Sequence, residues 1–225
     1  MAGQTLVLAS SSPRRQELIP LVGLPWIVQV VDVDEGSITH PDPAANVVGT
    51  AELKATYAAR IAPKDTIVIG ADTMVALDNR MLNKPADEED ARAMLTALRG
   101  RSHEVHTGIA IIDPASGRSI LDVCSVSVPM RDYSDSEIDA YIASGDPMDK
   151  AGAYAIQHPE FRPVEGLDGC YATVVGLPLC HLVRALPKLG TEISADVPSA
   201  CQNHHNYDCP IFGQILGLDD SYGTM

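Results

Sequence analysis

Acidic residues follow two apolar runs that are typical of buried strands. Asp72 comes directly after the run 66–69, within the sequence GADT, and the pair Asp34 and Glu35 ends a valine-rich run at 27–33. A carboxylate held at a strand end yet reachable from a loop is suited to act as a base. Two or three such carboxylates, together with waters and phosphate oxygens, suit Mg²⁺. Solvated turn acids, or an aspartate that caps a turn, would give the same pattern.

A second candidate lies in the stretch 6–18, LVLASSSPRRQEL. It predicts a buried strand that runs into a helix, with Ser12 at the N-cap and Pro13 at the first helical position. Free backbone N–H groups and serine hydroxyls gather at such a junction, and Arg14 and Arg15 add positive charge beside the helix dipole. The chemistry favours an anion, most simply a phosphate. A solvated turn with two surface arginines is the alternative.

A triphosphate would need further cations to converge with these arginines. Lys54, Lys84 and Lys150 are available, although each is of a kind that usually lies on the surface. Gln157 carries an amide that could read a base edge, and a surface glutamine is the plainer interpretation. The motifs GxGxxG, GxxxxGK[ST] and GxSxG are absent, which removes the Rossmann, P-loop and simplest serine-hydrolase hypotheses.

These residues must be positioned by alternating strands and helices, the pattern of an α/β protein. Spacing and composition predict helices over 44–62, from Asp87 to Gly100, from the capping box of Ser134 and Glu137, and after Pro178. Strands are predicted at 27–33, 66–69, 105–112, 120–128 and 171–175. The 225 residues suit one α/β domain or two closely joined lobes.

Composition restricts the partners. The formal charge of −14 argues against a nucleic-acid polymer, which needs a broad basic surface. The N-terminus lacks a basic region before its apolar residues, and no apolar run approaches the length of a membrane span, so we expect a cytoplasmic protein with no membrane segment. Five scattered cysteines without a CxxC pair fit reduced thiols rather than a disulfide framework.

Residues 191–225 lose the periodicity and contain five acids with no lysine or arginine. The sequence therefore predicts an acidic, mobile tail or irregular appendage after a domain at 1–190. The tail also contains a weak metal-like pattern, made of Cys201, His204, His205 and Cys209. Its spacing could place soft ligands on one Zn²⁺, in a zinc-dependent interaction module, although a disordered tail is the default.

Eight short motifs occur in the order seen in Maf-like proteins, which the chain resembles from Leu6 to about Leu189. They are SSSPRRQEL (10–18), DEG (34–36), AELKA (51–55), GADTMV (70–75), NKP (83–85), GRSHEVHTG (100–108), DPMDKAGAYAIQ (146–157) and GLP (176–178). The resemblance implies an elongated mixed β-sheet flanked by helices, with two lobes around a cleft as in the inosine triphosphatase group, and a homodimer. It implies a nucleoside triphosphate pyrophosphatase that needs Mg²⁺ or Mn²⁺, or alternatively a nucleotide-binding regulator of cell division and septum formation.

Carried over by position, the resemblance makes Asp72 the catalytic proton acceptor and a metal ligand with Glu35. It assigns phosphate binding to Ser10, Arg14, Arg15, Lys54 and Lys84, and base choice to Arg14, Thr73 and Gln157. GADT and DKAGAYAIQ resemble the branch that acts on dTTP and UTP. Ala155 and His158 stand where the family loop has glycines, and we expect their loss to restrict a loop that needs positive φ, which affects base choice more than catalysis.

Overall fold

The computed structural model describes residues 4–218, which form a mixed six-stranded sheet with helices on both faces. The strands are β1 Thr5–Leu8, β2 Trp26–Val28, β3 Thr66–Leu77, β4 Arg80–Leu82, β5 Ser102–Ile112 and β6 Ser119–Pro129. Their order is β2-β1-β3-β5-β6, and β4 pairs with the far end of β3. The β1 pairings are parallel, whereas β3, β5 and β6 pair antiparallel. The predicted mixed α/β fold is confirmed.

Eight α-helices lie within residues 4–218. They are α1 Pro13–Leu18, α2 Pro43–Ile61, α3 Glu88–Leu98, α4 Asp135–Ala143, α5 Tyr171–Val175, α6 Leu179–Ala185, α7 Val197–His205 and α8 Phe212–Leu216. Asp87 accepts a hydrogen bond from the Asp90 N–H at the start of α3, and Ser134 and Glu137 form the predicted capping box of α4. Ser12 occupies the N-cap position of α1, but its side chain makes no capping hydrogen bond.

Helix α2 crosses β3 and β5 at very short range because glycines lie beneath it. A Cβ on Gly70 would lie 2.8 Å from the Ala55 nitrogen and closer still to the Ala51 carbonyl oxygen. A Cβ on Gly108 would lie 2.6 Å from the Val47 carbonyl oxygen. The alanine-rich face of α2 therefore packs directly on the sheet, which brings the next helical turn over the centre of β3.

Two apolar layers enclose the sheet. The smaller layer lies beneath α2 and consists of short side chains, including Ala51, Ala55 and Ala58 against Val7 and Val68. The larger layer covers the opposite face, where leucines and isoleucines of β1, β3 and β5 pack against the remaining helices. Burial of both faces explains why β3 carries an almost continuous apolar sequence rather than an alternating one.

Three predicted strands differ from the structure. The strand at 27–33 is limited to Trp26–Val28, because its partner β1 ends at Leu8 and offers no further ladder positions. The strand at 66–69 continues to Leu77, because β5 pairs with it along almost its whole length. Residues 171–175 form helix α5 instead of a strand, and the tertiary contacts of this segment override its β-branched and aromatic composition.

The predicted loss of regular structure after Gly190 is wrong for much of residues 191–218. Helices α7 and α8 form there, and Val197 is completely buried within the larger apolar layer. Ile193, Cys201 and Ile211 pack against the same layer. The acids Asp219 and Asp220 lie outside the described residues. Across residues 4–218, every helix is too short or too polar to cross a lipid bilayer.

Candidate active site

One cleft of about 580 Å³ opens beside the centre of β3 and the turn between β1 and α1. Every residue to which the Maf-like resemblance assigns a role in the site lines this cleft, so the structure brings that set together. These residues are Ser10, Arg14, Arg15, Glu35, Lys54, Asp72, Thr73, Lys84 and Gln157. Their individual roles remain predictions.

The centre of the cleft is an ammonium held between two carboxylates. Lys54 Nζ lies 2.9 Å from Asp72 Oδ1 and 2.8 Å from Glu35 Oε2. The Lys54 and Asp72 side chains retain only 11% and 16% of their exposure, whereas Glu35 is more open. Asp72 lies opposite Gly108 in the ladder, inside β3 rather than after its end. The rigid strand thus fixes Asp72, and α2 delivers Lys54 to it.

The neighbouring acids Asp34 and Glu35 have different roles, since one caps a turn and the other faces the cleft. The Asp34 side chain accepts a hydrogen bond from the Gly36 N–H and caps the single turn of 3₁₀ helix Glu35–Ser37. That capped turn presents Glu35 to Lys54. The interpretation as a turn-capping acid therefore holds for Asp34, whereas Glu35 faces the cleft.

The donor set of Asp72 and Glu35 fits a divalent cation. Carboxylate oxygens that already converge on one ammonium can converge on a metal ion near the same point, with water and phosphate oxygens completing its coordination. Mg²⁺ in particular is usually bound by one or two carboxylates plus substrate phosphates rather than by an all-protein cage.

Arg15 is buried, and protein oxygen atoms engage its guanidinium on every side. It donates to the Gly176 carbonyl at 2.8 Å, to Ser10 Oγ at 3.1 Å and to Thr73 Oγ1 at 3.1 Å. Burial lowers the pKa of Arg15, and the nearby charge of Asp72 partly opposes that shift. Phosphate binding by Arg15 stays a prediction, but the contacts show that it also joins β3, the β1–α1 turn and the α5–α6 turn.

Thr107 and Thr173, which the sequence analysis did not identify, extend this contact from Thr73. Thr73 Oγ1 lies 2.9 Å from Thr107 Oγ1, and Thr107 donates to the Thr173 carbonyl at 2.8 Å. Thr73 and Thr107 face each other in the β3–β5 register. The signal that could have found Thr107 is this pairing, which is visible only once the register of the two strands is known.

Arg14 lies at the cleft wall and pairs with Asp149, whose Oδ2 is 3.4 Å from Arg14 Nη1. Lys150, one of the lysines considered for phosphate binding, is buried and already occupied. Its Nζ donates to Asp149 Oδ1 at 2.6 Å and to the carbonyl and Oδ1 oxygens of Asp146 at 2.5 and 3.0 Å. An ammonium has three donors, so these contacts saturate Lys150.

In the loop that carries Gln157, the residues with positive φ are not the two at which the family has glycines. Gly152 and Ala153 have φ values of +68° and +59°, whereas Ala155 and His158 are not among the residues with positive φ. Ala155 and His158 thus adopt backbone conformations open to any residue, and the expected effect of the lost glycines on base choice stays a prediction. The Gly152 N–H donates to the Asn83 carbonyl at 3.1 Å, which joins this loop to the exposed segment that carries Lys84.

Comparison with known proteins identifies the family of the chain. The family model described as Maf-like protein matches residues 5–189. The chain belongs to the Maf-like family. A relative from Desulforamulus reducens, named dTTP/UTP pyrophosphatase, is 43% identical over 84% of this chain and 98% of its own length. A relative of the same name from Thermomicrobium roseum is 43% identical over 92% of this chain and 94% of its own.

Among solved structures, the Ham1 protein of Staphylococcus aureus aligns with a TM-score of 0.42 at 18% identity, over 57% of this chain and 73% of that one.

The Maf-like match ends at Leu189, just before the α7–α8 segment. The tail residues Cys201 and Cys209 line a small apolar pocket at that junction, and His205 packs on Tyr171 at 4.5 Å. Within residues 4–218, no three His, Cys, Asp or Glu side chains are arranged to hold a metal ion.

Proposed function

We propose that this Maf-like protein hydrolyses dTTP and UTP to the nucleoside monophosphate and pyrophosphate. The observation that carries the proposal is the cleft itself, in which Asp72, Glu35 and Lys54 meet beside Arg14 and Lys84. Carboxylates and cations in one cleft suit a metal-assisted attack on a polyphosphate. The two relatives described above carry the name dTTP/UTP pyrophosphatase, which supplies the substrate class.

In this mechanism water attacks the α-phosphorus and Asp72 accepts its proton. Asp72 is suited to the task because β3 fixes its backbone while its carboxylate faces the cleft. Lys54 Nζ, 2.9 Å from Asp72 Oδ1, holds that carboxylate in place in the cleft. Exchange of the proton with solvent then restores the site.

The leaving group is pyrophosphate, and positive charge must meet the negative charge that grows on it. Arg14 and the exposed Lys84 both line the cleft and are cations available for it. Asp72 and Glu35 are the residues that would hold Mg²⁺ or Mn²⁺, which supplies charge neutralisation at the phosphate oxygens. Gln157 presents an amide donor and acceptor to the base, and Thr73 shares that task through its position beside Arg15.

A nucleotide panel tests the proposal. The purified chain with Mg²⁺ or Mn²⁺ is expected to release pyrophosphate from dTTP and UTP faster than from purine triphosphates. In water labelled with ¹⁸O, the label is expected in the monophosphate, because attack occurs at the α-phosphorus. Label in the pyrophosphate, release of orthophosphate, or no release from any nucleotide would overturn the proposal.

We further propose that the protein acts as a homodimer in the cytoplasm, with nucleotides rather than nucleic acids or membranes as partners. The formal charge of −14 supports the exclusion of nucleic-acid polymers. Light scattering of the full chain measures the mass directly, and a monomer at every concentration would contradict the dimer.

A further inference from the structure

The Tyr141 hydroxyl lies at the junction of two segments that line the cleft. Tyr141 lies on α4, is buried, and stacks on Phe161 with ring centroids 4.2 Å apart. Its hydroxyl donates to Asp146 Oδ2 at 2.6 Å and accepts from the Ala155 N–H at 3.0 Å. Ala155 lines the cleft two residues before Gln157. One hydroxyl therefore holds both the turn that follows α4 and the loop that presents Gln157.

From Asp146 the contacts continue to Arg14. Lys150 joins Asp146 to Asp149 through the three contacts described above, and Asp149 pairs with Arg14. Burial alone would raise the pKa of Asp146, but the hydrogen bonds from Tyr141 and Lys150 outweigh it and lower that pKa. Burial raises the pKa of Tyr141, so its hydroxyl keeps its proton at neutral pH.

We propose that Tyr141 and Asp149 are positioning residues for nucleotide selectivity, which hold Gln157 and Arg14 in register across the cleft. This inference rests on the proposed function for the assignment of Gln157 and Arg14 to the nucleotide. Tyr141 acts through the backbone of Ala155, and Asp149 acts through the guanidinium of Arg14. Neither residue needs to touch the phosphorus or the attacking water, so the effect falls on substrate choice and binding rather than on the chemical step.

Tyr141→Phe tests the first residue, since it keeps the stacked ring and removes only the hydroxyl. Tyr133→Phe is the matched control, because Tyr133 is also buried, also packs on Phe161, and donates its hydroxyl to the Leu95 carbonyl at 2.8 Å, away from the cleft. The probes are the α,β-methylene analogues of UTP and GTP, whose binding is measured by calorimetry without turnover.

The measured quantity is the dissociation constant of the GTP analogue divided by that of the UTP analogue. In Tyr141→Phe this ratio is expected to fall by about tenfold, which corresponds to about 1.4 kcal/mol, whereas Tyr133→Phe keeps the wild-type ratio. An unchanged ratio in Tyr141→Phe, an equal change in Tyr133→Phe, or a wild type without preference for the UTP analogue would overturn the inference. A wild type that prefers the UTP analogue yet releases no pyrophosphate from UTP would instead overturn the proposed function alone.

Asp149→Asn gives a second test that does not depend on a buried residue, because the Asp149 side chain is 59% exposed. It keeps the shape of the side chain but removes the charge that holds Arg14 and Lys150. The same ratio is expected to fall, and KM for UTP is expected to rise more than kcat falls. If Tyr141→Phe does not fold, an unchanged ratio in Asp149→Asn is sufficient to overturn the inference.

Discussion

Lys54 and Asp72 form a 2.9 Å ion pair across the interface between a helix and the strand beneath it. The pair exists because α2 lies directly on β3, where Gly70 removes the side chain that would separate them. Both members are mostly shielded from water, so their attraction is screened less than that of a surface pair. The fold thus places Lys54 against the proposed base through one helix-to-sheet contact.

Asp72→Asn is expected to lower kcat by about 10²- to 10⁴-fold, the usual contribution of a positioned general base. The amide oxygen can still accept from Lys54, so the melting temperature should change little. Pyrophosphate release and thermal unfolding measure the two effects. Asp34→Asn is the control, since Asp34 caps the neighbouring turn and does not line the cleft. Equal losses in both variants would remove Asp72 from the proposed role.

Gly70→Ala is expected to lower the free energy of unfolding by about 2 kcal/mol or more, because the new Cβ meets helix backbone that cannot rotate away. Gly49→Ala is the contrasting variant on α2. Its Cβ would meet only the methyl group Cγ2 of Ile38, and the gain in helix propensity of about 1 kcal/mol offsets that contact. Chemical denaturation compares the two, and similar values for both would contradict the close approach of α2 to β3.

Local motifs identified residues that line the cleft, whereas the lengths of several strands could not be predicted from the sequence. Asp72, Arg14 and Lys54 could be found because the motifs around them are local and occur in a diagnostic order. Their convergence in one cleft follows from strand pairing, which joins residues far apart in the chain. The extension of β3 could not be predicted, because the partner strand β5 and not the local composition determines where β3 ends.

Contacts between distant segments were also beyond the sequence. Because Arg14 and Arg15 are adjacent in the sequence, phosphate binding was predicted for both. In the structure, the Arg15 guanidinium is buried among oxygen acceptors, whereas Arg14 lies at the cleft wall. Lys150 appeared to be a free cation, and only the structure shows that Asp146 and Asp149 saturate it. Periodicity likewise gave no sign of α7, whose contact with the core depends mainly on Val197.

Arg15→Lys is expected to lower the free energy of unfolding by about 2–3 kcal/mol, because one ammonium cannot replace a planar fork that serves three acceptors. Arg14→Lys is the matched comparison on the same helix. The Arg14 side chain is 24% exposed and has one charged partner, so its replacement should alter KM while stability is retained. Denaturation and steady-state kinetics together separate the two, and an unaffected stability in Arg15→Lys would contradict its buried role.

Stability is expected to fall with pH below about 6.5, partly through His103. Burial lowers the pKa of His103 to about 4, so the unfolded chain binds a proton that the folded chain does not between those values. The contribution is complete above pH 6.5 and is lost as the pH falls toward 4. His103→Gln should reduce the slope of unfolding free energy against pH by up to about 1.4 kcal/mol per unit. The pKa of His205 is also lowered to about 4, so His205 still contributes to the pH dependence of the unfolding free energy in this variant. An unchanged slope in His103→Gln would exclude a contribution from His103.

Removal of residues 191–225 is expected to lower the free energy of unfolding by at least about 2 kcal/mol, because α7 buries Val197 completely against the main core. Val197→Ala in the full chain isolates that contact, and Ser194→Ala on the exposed stretch before α7 is its control. Chemical denaturation of the three variants is compared with the full chain. A truncated chain as stable as the full one would show that residues 1–190 form a self-sufficient domain and that α7 only rests on its surface.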